Sequence, residues 1–171
     1  MQIVESPAFQ GLNAKSDGAH IESEASGESD AEAIRELLVH QMRDLLHAEK
    51  QLLKGLPKMA KAASHQSLVA LFETHLAETE GQVERLNEGL KLLDAPARAK
   101  ACKGMKGLLE EGDDVIAENG KKGEAGADLA LIGAAQKVEH YEISAAYTTA
   151  RNLAQQLKMP SLIHLLQMSL A

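Results

Sequence analysis

Several ionisable side chains stand where apolar ones belong. From Ala31 onward, Leu38, Met42, Leu45, Leu52, Leu56 and Met59 recur at three- and four-residue steps, and the position that completes this stripe is Glu49. A later stripe through Leu129, Ile132, Ala135, Ala146, Leu153 and Leu157 takes in Glu139 and Glu142, spaced i, i+3. Between the two, His75, Glu78 and Gln82 form a polar line beside Phe72, Leu76, Val83, Leu86, Leu90 and Leu93. A carboxylate carried into a core without a partner is too costly for a small bundle. It must be protonated, paired with a cation or bound to a metal ion. Metal ions are the natural counter-charge for a cluster of carboxylates.

The spacing allows these groups to meet. With the first turn centred near residue 65, Glu49 lies 16 residues before it, Glu78 13 after and Gln82 17 after. At about 1.5 Å per residue, Glu49 falls in height between the other two. Glu49 and Glu78 can then face one point. Carboxylates from facing helices around one inner point are how four-helix bundles build di-iron and di-manganese sites. The plainer alternative makes these glutamates ion-pair members, with Lys50, His75 or Arg85 as partners, in a helical interaction or dimerisation protein that binds no metal. His140 reads as a surface residue. Tyr141 and Tyr147 read as core or interface aromatics, and the methionines as core filling. Cys102 stands beside Lys100 and Lys103, neighbours that can lower a thiol's pKa, but a buried inert thiol is the simpler reading.

The elements that must position these groups are helices. Asp30 is a cap candidate for the first. Gly55 and Pro57 should bend or end it, and Ser64–Ser67 is a connection. The second helix stops at Asp94-Ala95-Pro96. A third runs over 97–118 to Asn119-Gly120. After a loop over 120–126, a fourth runs over 127–157. Pro160 opens a short fifth. No strand pattern appears, so the expected class is all-α, an antiparallel helical bundle with short loops.

Composition narrows the function. One Cys excludes an internal disulfide, and the absence of Trp with only two Tyr and two Phe argues against aromatic stacking surfaces for nucleic acid. Residues 1–32 hold seven acids and one base, whereas the rest holds 18 acids and 17 bases. The net charge of -7 is therefore mostly that of an acidic N-terminal tail, read as mobile over 1–30, ahead of one bundle domain over 31–171. An acidic tail on a neutral body does not favour DNA. No membrane-length apolar run and no signal peptide are apparent, so a cytoplasmic location is expected.

Four segments together resemble a known family: DLLHAEKQLLKGLPKMAKAAS (44–64), HLAETEGQVERL (75–86), GLLEEGDDVI (107–116) and ALIGAAQKVEHYEISAAY (130–147). They are similar to the ferritin-like stress proteins of the YciE/YciF type over about 31–168. The resemblance implies a rubrerythrin-like four-helix bundle with a short crossover helix, usually a homodimer, in the bacterial cytoplasm. It implies metal-binding carboxylates at Glu49, Glu78, Glu139 and Glu142; His75, on its own a packing or hydrogen-bonding histidine, is added as a candidate metal ligand from the polar line, with iron or manganese as the metal. In the family the last helix runs on into an acidic stretch. Here the last helix is truncated at Ala171 and carries no acid, so partners for Glu139 and Glu142 would fall near positions 176–179. Sparse metal occupancy is the corresponding expectation. The third helix places Arg98, Lys100, Lys103 and Lys106 at one end and Glu110, Glu111, Asp113, Asp114 and Glu118 at the other, a self-complementary pattern compatible with an antiparallel homodimer.

Overall fold

A computed structural model describes residues 22–118 and 123–170, with side chains from residue 28. In order come α1 (Glu22–Ala62), α2 (Gln66–Leu92), α3 (Lys103–Glu118), α4 (Glu124–His140), a π-helical segment (Tyr141–Tyr147), α5 (Thr148–Gln156) and α6 (Pro160–Met168). α4, the π segment and α5 join with helical backbone angles and form one rod. No strand occurs among the described residues. The chain is an antiparallel four-helix bundle of α1, α2, the α4–α5 rod and α6, with α3 as the crossover helix.

Element boundaries follow local chemistry, with four departures from expectation. The first helix starts at Glu22, not near Ala31, so Asp30 lies inside it and caps nothing. Residues 1–21 of the expected tail lie outside the described residues. α1 also carries Pro57 in its interior and continues to Ala62. Proline removes one helical donor there, while the buried Leu56 and Met59 on either side hold the turn against the core. Gly55 is required by packing, since a Cβ there would stand 2.8 Å from the Leu109 side chain of α3. α3 begins at Lys103 rather than 97. The preceding strap is fastened to α1: Arg35 donates to the Leu93 carbonyl, Arg43 Nε to the Pro96 carbonyl at 3.3 Å, and the Lys100 N–H to the Arg43 carbonyl at 3.1 Å. The fourth helix starts at Glu124, three residues early.

Three turns are held by side chains or by special backbone. The Asp128 carboxylate of α4 accepts the N–H groups of Ser64 and His65, each at 2.8 Å, and ties the α1–α2 turn to the rod. Asp94 ends α2 and Lys158 ends α5 in left-handed conformations, at φ 48° and 52°. Pro160 then opens α6 at a position that needs no donor.

The core is divided in two. One cluster joins Leu38, Met42, Leu45 and Leu46 of α1 to Leu86 and Leu90 of α2, Ala150 and Ala154 of α5, and Leu162 and Leu166 of α6. The other joins Ala48, Leu52, Leu56 and Met59 of α1 to Leu68 and Phe72 of α2, Met105 of α3, and Leu131, Ala134 and Val138 of α4. Glu49 follows Ala48 at the junction, and Glu142 lies between Val138 and Ala146 in the same gap. The acid end of α3 finds its bases within the chain: Asp113 pairs with Lys58 at 2.9 Å, Glu111 with Lys137, and Glu110 with Lys106 at 3.5 Å.

The stripe expected on the fourth helix is wrong in its first half. Leu129 is 70% exposed and Ile132 37%, and the inward residues are Ala127, Leu131, Ala134 and Val138. From there the buried positions run 142, 146, 147, 150 and 154. Four-residue steps drift about 40° each on an α-helix, and the wider π winding absorbs the drift. No described helix is long and apolar enough to cross a membrane.

Candidate metal centre

Glu49 is fully buried and Glu142 is 3% exposed. Each is delivered by a helix whose neighbouring turns are packed into apolar clusters, and of the two only Glu142 lines the adjoining cavity. Tyr147 Oη donates to Glu49 Oε1 at 2.6 Å. The two carboxyls lie side by side. Burial pushes the Glu49 carboxyl well above the ordinary range, against the lowering effect of the Tyr147 hydrogen bond. Burial, reinforced by the Glu49 charge, pushes Glu142 up as well. Two carboxylates in one dry site cannot both stay charged without a cation. Glu49 Oε2 and Glu142 Oε1 are buried with no donor facing them. A hydrogen bond between the two groups forms only when one carries a proton.

His75 of α2 completes the site from the opposite side. Its Nδ1 lies 3.2 Å from Glu139 Oε1 and its Nε2 3.9 Å from Glu142 Oε2. One ligand atom from each of His75, Glu139 and Glu142 falls within 4.8 Å of the others, an arrangement that can hold a metal ion. Glu139 is half-exposed and Glu142 buried, so the cluster spans from the surface to the core. A cavity of about 450 Å³ opens beside it, lined by His75, Glu78, Glu139, Glu142 and Tyr147, with Arg85 and Ser169 also on its wall. Arg85 Nε donates to Ser169 Oγ at 2.8 Å.

Of the residues singled out in the sequence, the structure brings His75, Glu139 and Glu142 together and sets Glu49 against Glu142. Glu78 lines the same cavity but is exposed and stands outside the three-ligand cluster. His140 is on the surface.

The model of the family called Domain of unknown function (DUF892) matches residues 33–171. The chain belongs to that family. Protein YciF of Escherichia coli K12 is 44% identical over 125 residues, covering 72% of this chain and 74% of its relative. The crystal structure of the E. coli stress protein YciF superposes with a TM-score of 0.76 at 39% identity, covering 80% of this chain and 85% of that one. YcfI from Rhodopseudomonas palustris superposes with a TM-score of 0.75 at 34% identity over the same shares. The fold is thus the ferritin-like bundle expected, in a relative of a stress protein.

Sequence reasoning overlooks Tyr147 as a site residue. An α-helical reading steps from Glu142 to Ala146 and leaves the tyrosine to one side. It overlooks a second polar cluster as well. Tyr141 Oη lies 3.0 Å from Cys102 Sγ and donates to Asp44 Oδ2 at 3.5 Å. His47 Nδ1 accepts the Cys102 N–H at 3.1 Å and the Gln51 amide at 2.8 Å, which assigns the ring proton to Nε2. The lysines flanking Cys102 do not activate it; burial pushes the thiol pKa up.

Proposed function

We propose that this chain is a metal-binding ferritin-like protein, with iron or manganese held by His75, Glu139, Glu142 and Glu49. The observation that carries this reading is the pair of buried carboxylate oxygens without donors, Glu49 Oε2 and Glu142 Oε1, beside three converging ligand atoms. A divalent ion supplies positive charge beyond the partial offset that Arg85 gives Glu49. Three carboxylates with one imidazole form a mostly oxygen donor set, suited to Fe²⁺ or Mn²⁺ more than to thiol-seeking metals. Such an ion, when bound, supplies one-electron redox chemistry toward oxygen or peroxide. The chain's own groups do the rest. Tyr147 fixes one Glu49 oxygen and leaves the other for the ion. Glu139, nearest the surface, is the residue an entering cation meets first. Glu78 and Arg85 set the charge of the cavity through which a small molecule reaches the site.

The test is metal retention. Protein purified without chelators, loaded anaerobically with Mn²⁺ or Fe²⁺ and desalted, should keep at least one ion per chain. Glu142→Gln should weaken binding roughly tenfold or more, since loss of even an outer partner costs that much at metal sites. Retention of no metal by the parent protein, or equal retention by the variant, would overturn the reading.

A further inference from the structure

The π-helical segment has an anchor outside the site. Thr148 Oγ1 donates to the Ile143 carbonyl at 2.7 Å. The Thr148 backbone N–H is directed to the same carbonyl, five residues back. On an α-helix a threonine hydroxyl reaches the carbonyl three or four residues back. Here the side chain reinforces one of the i to i+5 backbone bonds of the π winding, the one at its C-terminal end.

The winding decides what reaches the site. Glu142 and Tyr147 are five residues apart. On an α-helix, at about 100° per residue, they would point about 140° apart, and only one could face Glu49. In the wider π winding, five residues come much closer to one full turn, so both fall on the same side. Both are buried, Tyr147 bonds to Glu49, and Ile143, Ser144 and Ala145 together form the outer side. We propose that Thr148 is a positioning residue: its hydroxyl locks the 141–147 winding and so brings Glu142 and Tyr147 onto Glu49 at the same time. Thr148 touches none of the site groups in doing so. The metal reading proposed above enters only one of the two measurements that follow.

The variants are Thr148→Val, which keeps the shape and loses the hydroxyl, and Thr148→Ser, which keeps the hydroxyl. Thr148→Ala is added in case the valine variant does not fold. The first measurement uses metal-free protein. With only two tyrosines in the chain, NMR resolves the buried Tyr147 hydroxyl proton as a slowly exchanging, low-field signal from its bond to Glu49. That signal should be lost or exchange-broadened in Thr148→Val and Thr148→Ala and present in Thr148→Ser. The second measurement is Mn²⁺ affinity, expected to fall roughly three- to tenfold on loss of one hydrogen bond and to recover within about twofold in the serine variant. An intact Tyr147 signal in the valine or alanine variant overturns the proposal, even if melting temperature falls, because that pattern is a structural role only. Loss of the signal in the serine variant overturns it too. If the parent binds no Mn²⁺, the metal reading fails and the metal-free signal alone decides the role of Thr148.

Discussion

The two tyrosines sit at opposite ends of the π-helical segment, and each ends in a polar cluster on the flank of α1. At Tyr141 every group is matched. The phenol bridges Cys102 and Asp44, His47 accepts two donors, and Gln51 also donates to the Cys102 carbonyl at 3.2 Å. None of these atoms is among the buried polar atoms left without partners. At Tyr147 the matching stops at one bond, and two carboxylate oxygens remain unmet in the core. The first cluster is what a fold retains to fasten α3 and its strap to α1 and α4. The second costs stability as it stands. A polar group left unsatisfied in a core is expensive, so its presence in a well-packed bundle points to a ligand. The matched cluster is half-buried around Asp44, His47 and Tyr141, whereas Glu49, Glu142 and Tyr147 are buried, so the groups left unmet are the ones water reaches least.

The largest test of this contrast is Glu142→Leu. Replacing a buried charged group by an apolar one of similar size is often stabilising, by about 1–4 kcal/mol. The metal-free variant should melt higher than the parent in calorimetry, and Mn²⁺ should no longer raise its melting temperature. The matched cluster should respond in the opposite direction to an equivalent change. Asp44→Leu removes an acceptor and adds nothing the site lacks, so it should lower stability and leave the Mn²⁺ response in place. A stabilised Asp44→Leu, or a destabilised Glu142→Leu, would erase the distinction between the clusters.

Much of the site is legible in the sequence because misplaced charge shows in a stripe. Glu49 is the one acid in an otherwise apolar series on α1, and the structure places it at the core junction. His75 and Glu142 stand out in the same way. The fourth helix is less legible because its period changes partway. A constant 3.6-residue reading puts Leu129 and Ile132 inside, where the structure exposes them, and leaves Tyr147, read as a core or interface aromatic, off the line through Glu142. Nothing in YEISAAY announces a π winding, since its residue types would serve an α-helix as well. The start of α1 escapes for another reason. The Ser-, Gly- and acid-rich stretch 22–30 has poor intrinsic helical preference, but it continues a helix already nucleated by the buried turns after Leu38.

The next test is pH. In the unfolded chain the carboxyls of Glu49 and Glu142 titrate near ~4.3. In the folded, metal-free protein burial and their mutual repulsion raise both. Above the unfolded value the folded state therefore holds more protons than the unfolded one. Stability is full on the acid side and falls as pH rises through the raised range. Metal-free protein should lose about 1–3 kcal/mol between pH 5 and 8, since each tenfold difference in proton affinity between the two states is worth roughly 1.4 kcal/mol. Urea unfolding at several pH values measures it. Glu142→Leu should flatten the slope, and saturating Mn²⁺ should reverse it, because the metal binds the deprotonated carboxylates. A parent slope that is flat across this range would show that the carboxyls are already balanced by a charge within the chain.

The smallest effect comes from the tyrosines themselves. Tyr141→Phe removes a hydroxyl whose neighbours are a weakly polar thiol and an Asp44 that still reaches solvent, so each recovers most of what it loses. A cost of about 0.5–1.5 kcal/mol is expected, that of one neutral hydrogen bond. Tyr147→Phe removes the hydroxyl that donates to Glu49 Oε1 and leaves the fully buried carboxyl with no partner but Glu142 among the described residues. That should cost about 1–3 kcal/mol in metal-free protein. The difference should shrink on adding Mn²⁺, since the ion takes over as the partner of Glu49, whereas Tyr141→Phe should keep its cost with or without metal. Equal costs that do not respond to metal would place the Tyr147 cluster among the structural ones and remove the reason for putting an ion beside it.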